Sequence, residues 1–179
     1  MNVLVMNCSP VHGGATATFA EMVRSRIASR HKVKCVCIGD DAFAFCKGCK
    51  SCYTTGRCVQ QDVFDTLMQE IDAADSLVFV APSYWADVPA QFKAFIDRCT
   101  PWCDTHEPHA QLRPGKTAHI ILFRTGHGQK ELDRLEETMR HFCGHMHIHG
   151  CSVMRVTGVS DEEGAWAHWR EMDDFCENI

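Results

Sequence analysis

No stretch of these 179 residues approaches the roughly 18 consecutive apolar side chains of a membrane-spanning helix. A basic excess is missing too. Eighteen lysines and arginines stand against 23 acidic residues, a formal net charge of −5. That balance argues against non-specific nucleic-acid binding, which needs a positive face. The first residues have neither the basic region nor the long apolar stretch of a secretion signal, which points to a cytoplasmic protein. No internal repeat, low-complexity tract or linker divides the chain, so residues 1–179 are expected to form one domain. Neither the Walker pattern G-x-x-x-x-G-K-S/T nor the dinucleotide pattern G-x-G-x-x-G occurs.

Against these absences stands an excess of cysteine, twelve in all. Without a secretion signal, clustered cysteines more often bind metal or do redox chemistry than form disulfides. Cys35, Cys37, Cys99, Cys143, Cys151 and Cys176 fall within apolar strand or helix patterns and read as small buried hydrophobes.

The apolar pattern alternates between two periods. Val3–Met6, Val33–Ile38, Leu77–Ala81, Ala118–Phe123 and Cys151–Val156 read as strands, the second flanked by charge as an edge would be. Between them, sets such as Phe64, Leu67, Met68 and Ile71 recur at helical spacing. Asp62 is placed to cap that helix, Gly144 to end the one after the fourth strand, and Ser160-Asp161-Glu162-Glu163 to open the last. Residues 39–61 show no period, and an irregular connection that long is usually functional. Five apolar strands alternating with helices predict an α/β fold with a parallel sheet. Ligands of such sheets bind beyond the carboxyl ends of the strands.

Three unusual loops lie at that end. Ser9-Pro10-Val11-His12-Gly13-Gly14-Ala15-Thr16 joins the first strand to a helix. A helix N-terminus with glycines beside it suits a single terminal phosphate, and the alternative is a plain turn capped by Ser or Thr. Pro82-Ser83-Tyr84-Trp85-Ala86-Asp87-Val88 puts two large aromatics after the third strand, suited to a flat heterocycle. Thr125-Gly126-His127-Gly128 follows the fourth. A phosphate at one end and a planar ring at the other describe FMN.

With these residues the sequence resembles the flavodoxin-like NADPH-dependent FMN reductase family, most closely its iron-sulfur flavoprotein branch. The family's phosphate loop, close to G-S-P-R-x-x-G-N-T, reads here Cys8-Ser9-Pro10-Val11-His12-Gly13-Gly14-Ala15-Thr16, with Cys8 for a Gly and Ala15 for an Asn. Its P-x-Y-W and K-x-F-x-D-R stand as Pro82-Ser83-Tyr84-Trp85 and Lys93-Ala94-Phe95-Ile96-Asp97-Arg98. The resemblance is strong to about residue 100 and diffuse afterwards. It implies a doubly wound five-stranded parallel sheet of order 2-1-3-4-5. It also implies homodimers or homotetramers, with NAD(P)H or a ferredoxin as donor and a small molecule or protein as acceptor. FMN then carries the chemistry, with no side-chain nucleophile or base. The phosphate falls to Ser9, Val11, His12, Gly13, Gly14, Ala15 and Thr16. The ring falls to Pro82, Ser83, Tyr84, Trp85, Ala86 and Val88, with Thr125, Gly126, His127 and Gly128 closing the far side. A non-enzymatic electron carrier or an FMN-dependent redox sensor is the competing class.

Cys46, Cys49, Cys52 and Cys58 are spaced C-x₂-C-x₂-C-x₅-C. Thiolates so close together can wrap a compact [4Fe–4S] cluster, whereas zinc sites more often separate two C-x-x-C pairs by a longer span. The spacing matches the iron-sulfur flavoprotein motif, which implies such a cluster beside FMN. Zinc, a redox pair and free thiols are the alternatives. His141, His145, His147 and His149 also cluster, but no cysteine or carboxylate pattern near them completes a metal site, and a solvated or interface face is expected. The last three are expected to alternate along an extended segment and share a face.

Overall fold

The computed structural model describes residues 1–40 and 42–179. Five strands form one sheet in the order 2-1-3-4-5: β1 (Asn2–Asn7), β2 (Lys32–Cys37), β3 (Ser76–Pro82), β4 (Thr117–Arg124) and β5 (Cys151–Thr157). Every neighbouring pair is parallel. The expected fold class and strand order are those observed. All seven residues of β3 are buried, as a central strand covered by helices on both faces must be. β2, with Lys32, Lys34 and Cys35 exposed, is an edge.

The helices are α1 (Gly14–Ile27), α2 (Cys52–Thr55), α3 (Val63–Ala73), α4 (Ala90–Arg98), α5 (Lys130–His145), α6 (Glu162–Trp166) and α7 (Trp169–Cys176). A short 3₁₀ turn spans Thr100–Trp102. Alternate residues of each strand feed two cores. One holds Phe79, Phe92, Phe95 and Phe142 beneath α3, α4 and α5. The other holds Phe19, Val23, Ile121 and Met172 beneath α1 and α7. No described helix is long and apolar enough to cross a membrane.

Several local expectations shift. Pro82 ends β3 from inside, in register with Phe123. Gly144 lies within α5. The helix closes two residues later, where His147 donates to the Gly144 carbonyl at 3.0 Å and Ile148 to the Cys143 carbonyl at 2.9 Å. This double closure lets Ile148 bury, and it puts His147, at φ +54°, in the left-handed position that glycine usually takes. The histidines therefore do not alternate on a strand: His141 and His145 share a helix face, and His147 sits at its cap. Asp161, not Ser160, caps α6 by accepting from the Gly164 N–H at 2.8 Å, and a break at residues 167–168 separates α6 from α7. Of the six cysteines read as buried hydrophobes, Cys99, Cys143 and Cys176 are buried, Cys37 and Cys151 are half-buried, and Cys35 is exposed on the edge strand.

The long segment 39–61 is irregular except for α2; its Asp41 lies outside the described residues. It is held by Arg98, at the end of α4, which is 1% exposed. The guanidinium donates to the Ala44 carbonyl at 2.6 Å, to the Gln60 carbonyl at 3.4 Å and to Asp62 at 2.8 Å, and lies 4.6 Å from the centre of the Phe64 ring. Asp62 also caps α3 through the Phe64 N–H and accepts from the Ala44 N–H. One ion pair thus clamps both ends of the cysteine segment. Hydrogen bonding to Arg98 holds the Asp62 carboxyl below its ordinary range. A depressed carboxyl stabilises the fold above its unfolded pKa, about 4, and loses that contribution as pH falls through the folded value. Arg98→Met is expected to cost about 3 kcal/mol in urea unfolding, because it leaves Asp62 without its counter-charge. Asp62→Asn should flatten the loss of stability below about pH 4, and an acid profile identical to wild type would contradict the clamp.

Candidate functional site

α1 begins without a side-chain cap: its N-cap residue is Gly13. The first N–H groups of a helix have no intrahelical acceptor and carry the positive end of its dipole. Here the Gly14 N–H, at φ +72°, instead donates 3.2 Å to a carboxylate oxygen of Glu162, from α6. An anion from 148 residues away occupies the helix end. The loop before it is braced internally. Asn7 accepts from the Ser9 N–H at 2.9 Å and donates to the Val11 carbonyl at 3.1 Å, and the Ser9 hydroxyl accepts from the Val11 N–H at 3.1 Å.

A cavity of about 250 Å³ opens at this helix end, lined by Ser9, Val11, Gly13, Gly14, Ala15, Thr16, Pro82, Ser83, Tyr84 and Thr125. Ten of the expected ligand-site residues therefore meet there, drawn from the loops after β1, β3 and β4. Arg124, Phe123, Val159 and Ser160 complete the lining. Arg124 pairs with Glu131 at 3.0 Å and donates to the Gly128 carbonyl at 2.9 Å, while its Nε is buried without a partner. Neither Arg124 nor Glu162 stands out in the sequence. Arg124 sits at the end of an apolar strand, and Glu162 reads as an ordinary first-turn acid.

The other expected residues lie apart from this cavity. His12 is exposed and pairs with Asp40 at 3.1 Å. Gly126 and Gly128 crowd the Arg124 guanidinium, and His127 packs on Gly158. Val88 is buried in the core. Trp85 and Ala86 line a second cavity of about 840 Å³. They form the centre of a tight turn closed by Tyr84 N–H to Asp87 carbonyl at 2.8 Å and Asp87 N–H to Tyr84 carbonyl at 3.1 Å. Both have positive φ, +53° and +61°, in a turn that normally takes Asn-Gly. Such strain costs of the order of 1–3 kcal/mol per residue and clusters at functional sites. It holds the Trp85 indole fully exposed, at 103%.

A family model for NADPH-dependent FMN reductase matches residues 1–161. The chain belongs to the NADPH-dependent FMN reductase family. It is 31% identical over 120 residues to an iron-sulfur flavoprotein of Archaeoglobus fulgidus, covering 67% of this chain and 52% of that one. An iron-sulfur flavoprotein of Methanosarcina thermophila is 28% identical over 148 residues, covering 83% and 70%. For the first of these relatives the chain spans about half the length. The fold matches the crystal structure of an FMN-dependent NADH-azoreductase from Bacillus anthracis in complex with FMN, with a TM-score of 0.72, 15% identity and 99% of each chain covered.

The cysteine motif adjoins the family's K-x-F-x-D-R helix. Cys46, Cys49, Cys52 and Cys58 line one small cavity of about 30 Å³ with Lys47, Lys50 and Arg98. Left-handed Gly48, Lys50 and Gly56 let the chain wrap around it. Burial raises the Cys52 thiol, and the other three sulfurs add to the shift. The segment reaches the loop after β1 at Gly39, where a Cβ would lie 2.5 Å from the Pro10 carbonyl oxygen. Gly39→Ala should therefore lower the unfolding free energy by about 1–3 kcal/mol, and an unchanged urea midpoint would show that the two loops are not in contact.

Proposed function

We propose that the chain is an FMN-dependent oxidoreductase that takes electrons from NAD(P)H or a ferredoxin-type donor and passes them to a small-molecule or protein acceptor. The observation that carries this reading is the uncapped α1 N-terminus, with a carboxylate already at the Gly14 N–H, opening into the cavity that Tyr84, Thr125 and Arg124 share. A phosphate fits that position better than Glu162 does, because it can accept from several N–H groups at once. Arg124, with an unpartnered Nε, supplies positive charge. The cavity is too small to enclose a whole flavin nucleotide but suits its phosphorylated end. The strained turn presents Trp85 as a flat apolar face that can shield a heterocycle from water. When bound, FMN supplies hydride and single-electron transfer. Family membership supports the same reading.

Two outcomes test the phosphate assignment. FMN should quench in a fluorescence titration with at least about tenfold higher affinity than riboflavin, since the phosphate adds charge-assisted hydrogen bonds. Glu162→Gln should tighten FMN by about two- to fivefold, by removing the competing carboxylate. Equal affinities for FMN and riboflavin would overturn the assignment.

The four cysteines are assigned to a [4Fe–4S] cluster that passes single electrons to FMN. Supporting this are the four thiols gathered around one opening, which at about 30 Å³ must widen to hold the cluster, the nearby Lys47, Lys50 and Arg98, and the iron-sulfur flavoprotein relatives. Tyr53, beside Cys52, and Trp85 line the same large cavity. Anaerobically purified protein should carry about four irons per chain. Cys49→Ser should remove the iron and leave FMN bound; iron-free wild type after anaerobic reconstitution would refute the cluster.

A further inference from the structure

Cys103 and His145, on the wall of the 840 Å³ cavity, belong with Asp104 to another group of metal-type donors, far from the four-cysteine motif in sequence. Cys103 and Asp104 follow the 3₁₀ turn, and His145 ends α5. One ligating atom from each lies within 4.8 Å of the others: a sulfur, a carboxylate oxygen and a ring nitrogen. Asp104 is 2.8 Å from His145 Nδ1 and 3.7 Å from His147 Nε2. Cys143, inside the histidine run, is buried in the core; the thiol and carboxylate of this group come from Cys103 and Asp104, the latter 41 residues from His145.

We propose that Cys103, Asp104 and His145 form a binding site for a divalent transition metal of zinc type. One thiolate, one carboxylate and one imidazole are donor types that zinc takes, and three protein ligands leave its fourth position open to water. A further contact accommodates ligation: His145 Nε2 lies 3.1 Å from His141 Nε2. With a metal on Nδ1, His145 carries its proton on Nε2 and donates it to His141. That outer hydrogen bond fixes the tautomer, as partners of metal-bound histidines usually do. His147 Nε2, 3.7 Å from Asp104, lies at the edge of the group. The metal would tie the segment after α4 to the end of α5, along the wall that also carries Trp85 and Tyr53. The inference does not depend on flavin binding.

Cobalt(II) is the probe, because its thiolate complexes absorb in the near ultraviolet. Wild-type protein, stripped with chelator, should take up one equivalent of cobalt more than the Cys103→Ala and His145→Ala variants. A chain carrying Cys49→Ser and Cys52→Ser, which disables the other motif, should still bind one cobalt with a thiolate charge-transfer band. X-ray absorption should then count one sulfur per metal. His141→Ala should keep the band and weaken binding roughly ten- to a hundredfold, as loss of an outer partner does. Circular dichroism checks that each variant is folded. Equal cobalt uptake by wild type, Cys103→Ala and His145→Ala would overturn the proposal, as would a sulfur-rich site in the double variant or no binding by it. Should the double variant fail to fold, the difference between wild type and Cys103→Ala decides alone.

Discussion

The site depends on one constraint: every strand pair is parallel, so helices cover both faces of the sheet and β3 is buried along its whole length. Parallel strands send all their outgoing loops to one edge. The loops after β1, β3 and β4 are thereby forced together, and the helix that follows β1 aims its positive end at their meeting point. The cavity beside Gly14 is a consequence of topology before it is a consequence of any side chain. The side chains then set its sign, with Arg124 on one wall and Glu162 at the helix end.

The cysteine segment is joined to this edge by two contacts that leave little tolerance. Arg98 gathers Ala44, Gln60 and Asp62 at its base, and Gly39 rests against Pro10 with no room for a Cβ. An insertion of this kind has almost no core of its own. Among its described residues, Phe43 packs against the main core, while Phe45 and Val59 are exposed. Its shape is therefore set by polar contacts at its ends and by left-handed residues within it, an arrangement suited to wrapping a compact group rather than to building a core.

The parts readable from sequence are those where burial repeats at a fixed period. The five strands and the stripes of α3 and α5 announce themselves because water is excluded from one face or from both. The loop after β1 stands out because glycines follow a strand end. What stays hidden depends on distance in the chain. Nothing near Glu162 shows that its carboxylate reaches Gly14, because capping by Asp161 rather than Ser160 shifts the helix start and turns Glu162 toward α1. The histidines mislead in the same way. Gly144 is the expected helix end, but burial of Ile148 extends the helix and moves the left-handed residue to His147. The partners that give the histidines meaning, Cys103 and Asp104, come from another loop altogether.

The functional reading turns on whether the end of α1 receives the phosphate of FMN. Amide chemical shifts of ¹⁵N-labelled protein during an FMN titration report this directly, since a phosphate deshields the N–H groups that donate to it. The largest downfield shifts are expected at Gly14 and its helical neighbours, with riboflavin leaving those amides nearly unmoved. Shifts confined to the Trp85–His145 cavity, with Gly14 unchanged at saturation, would contradict phosphate binding at the helix end.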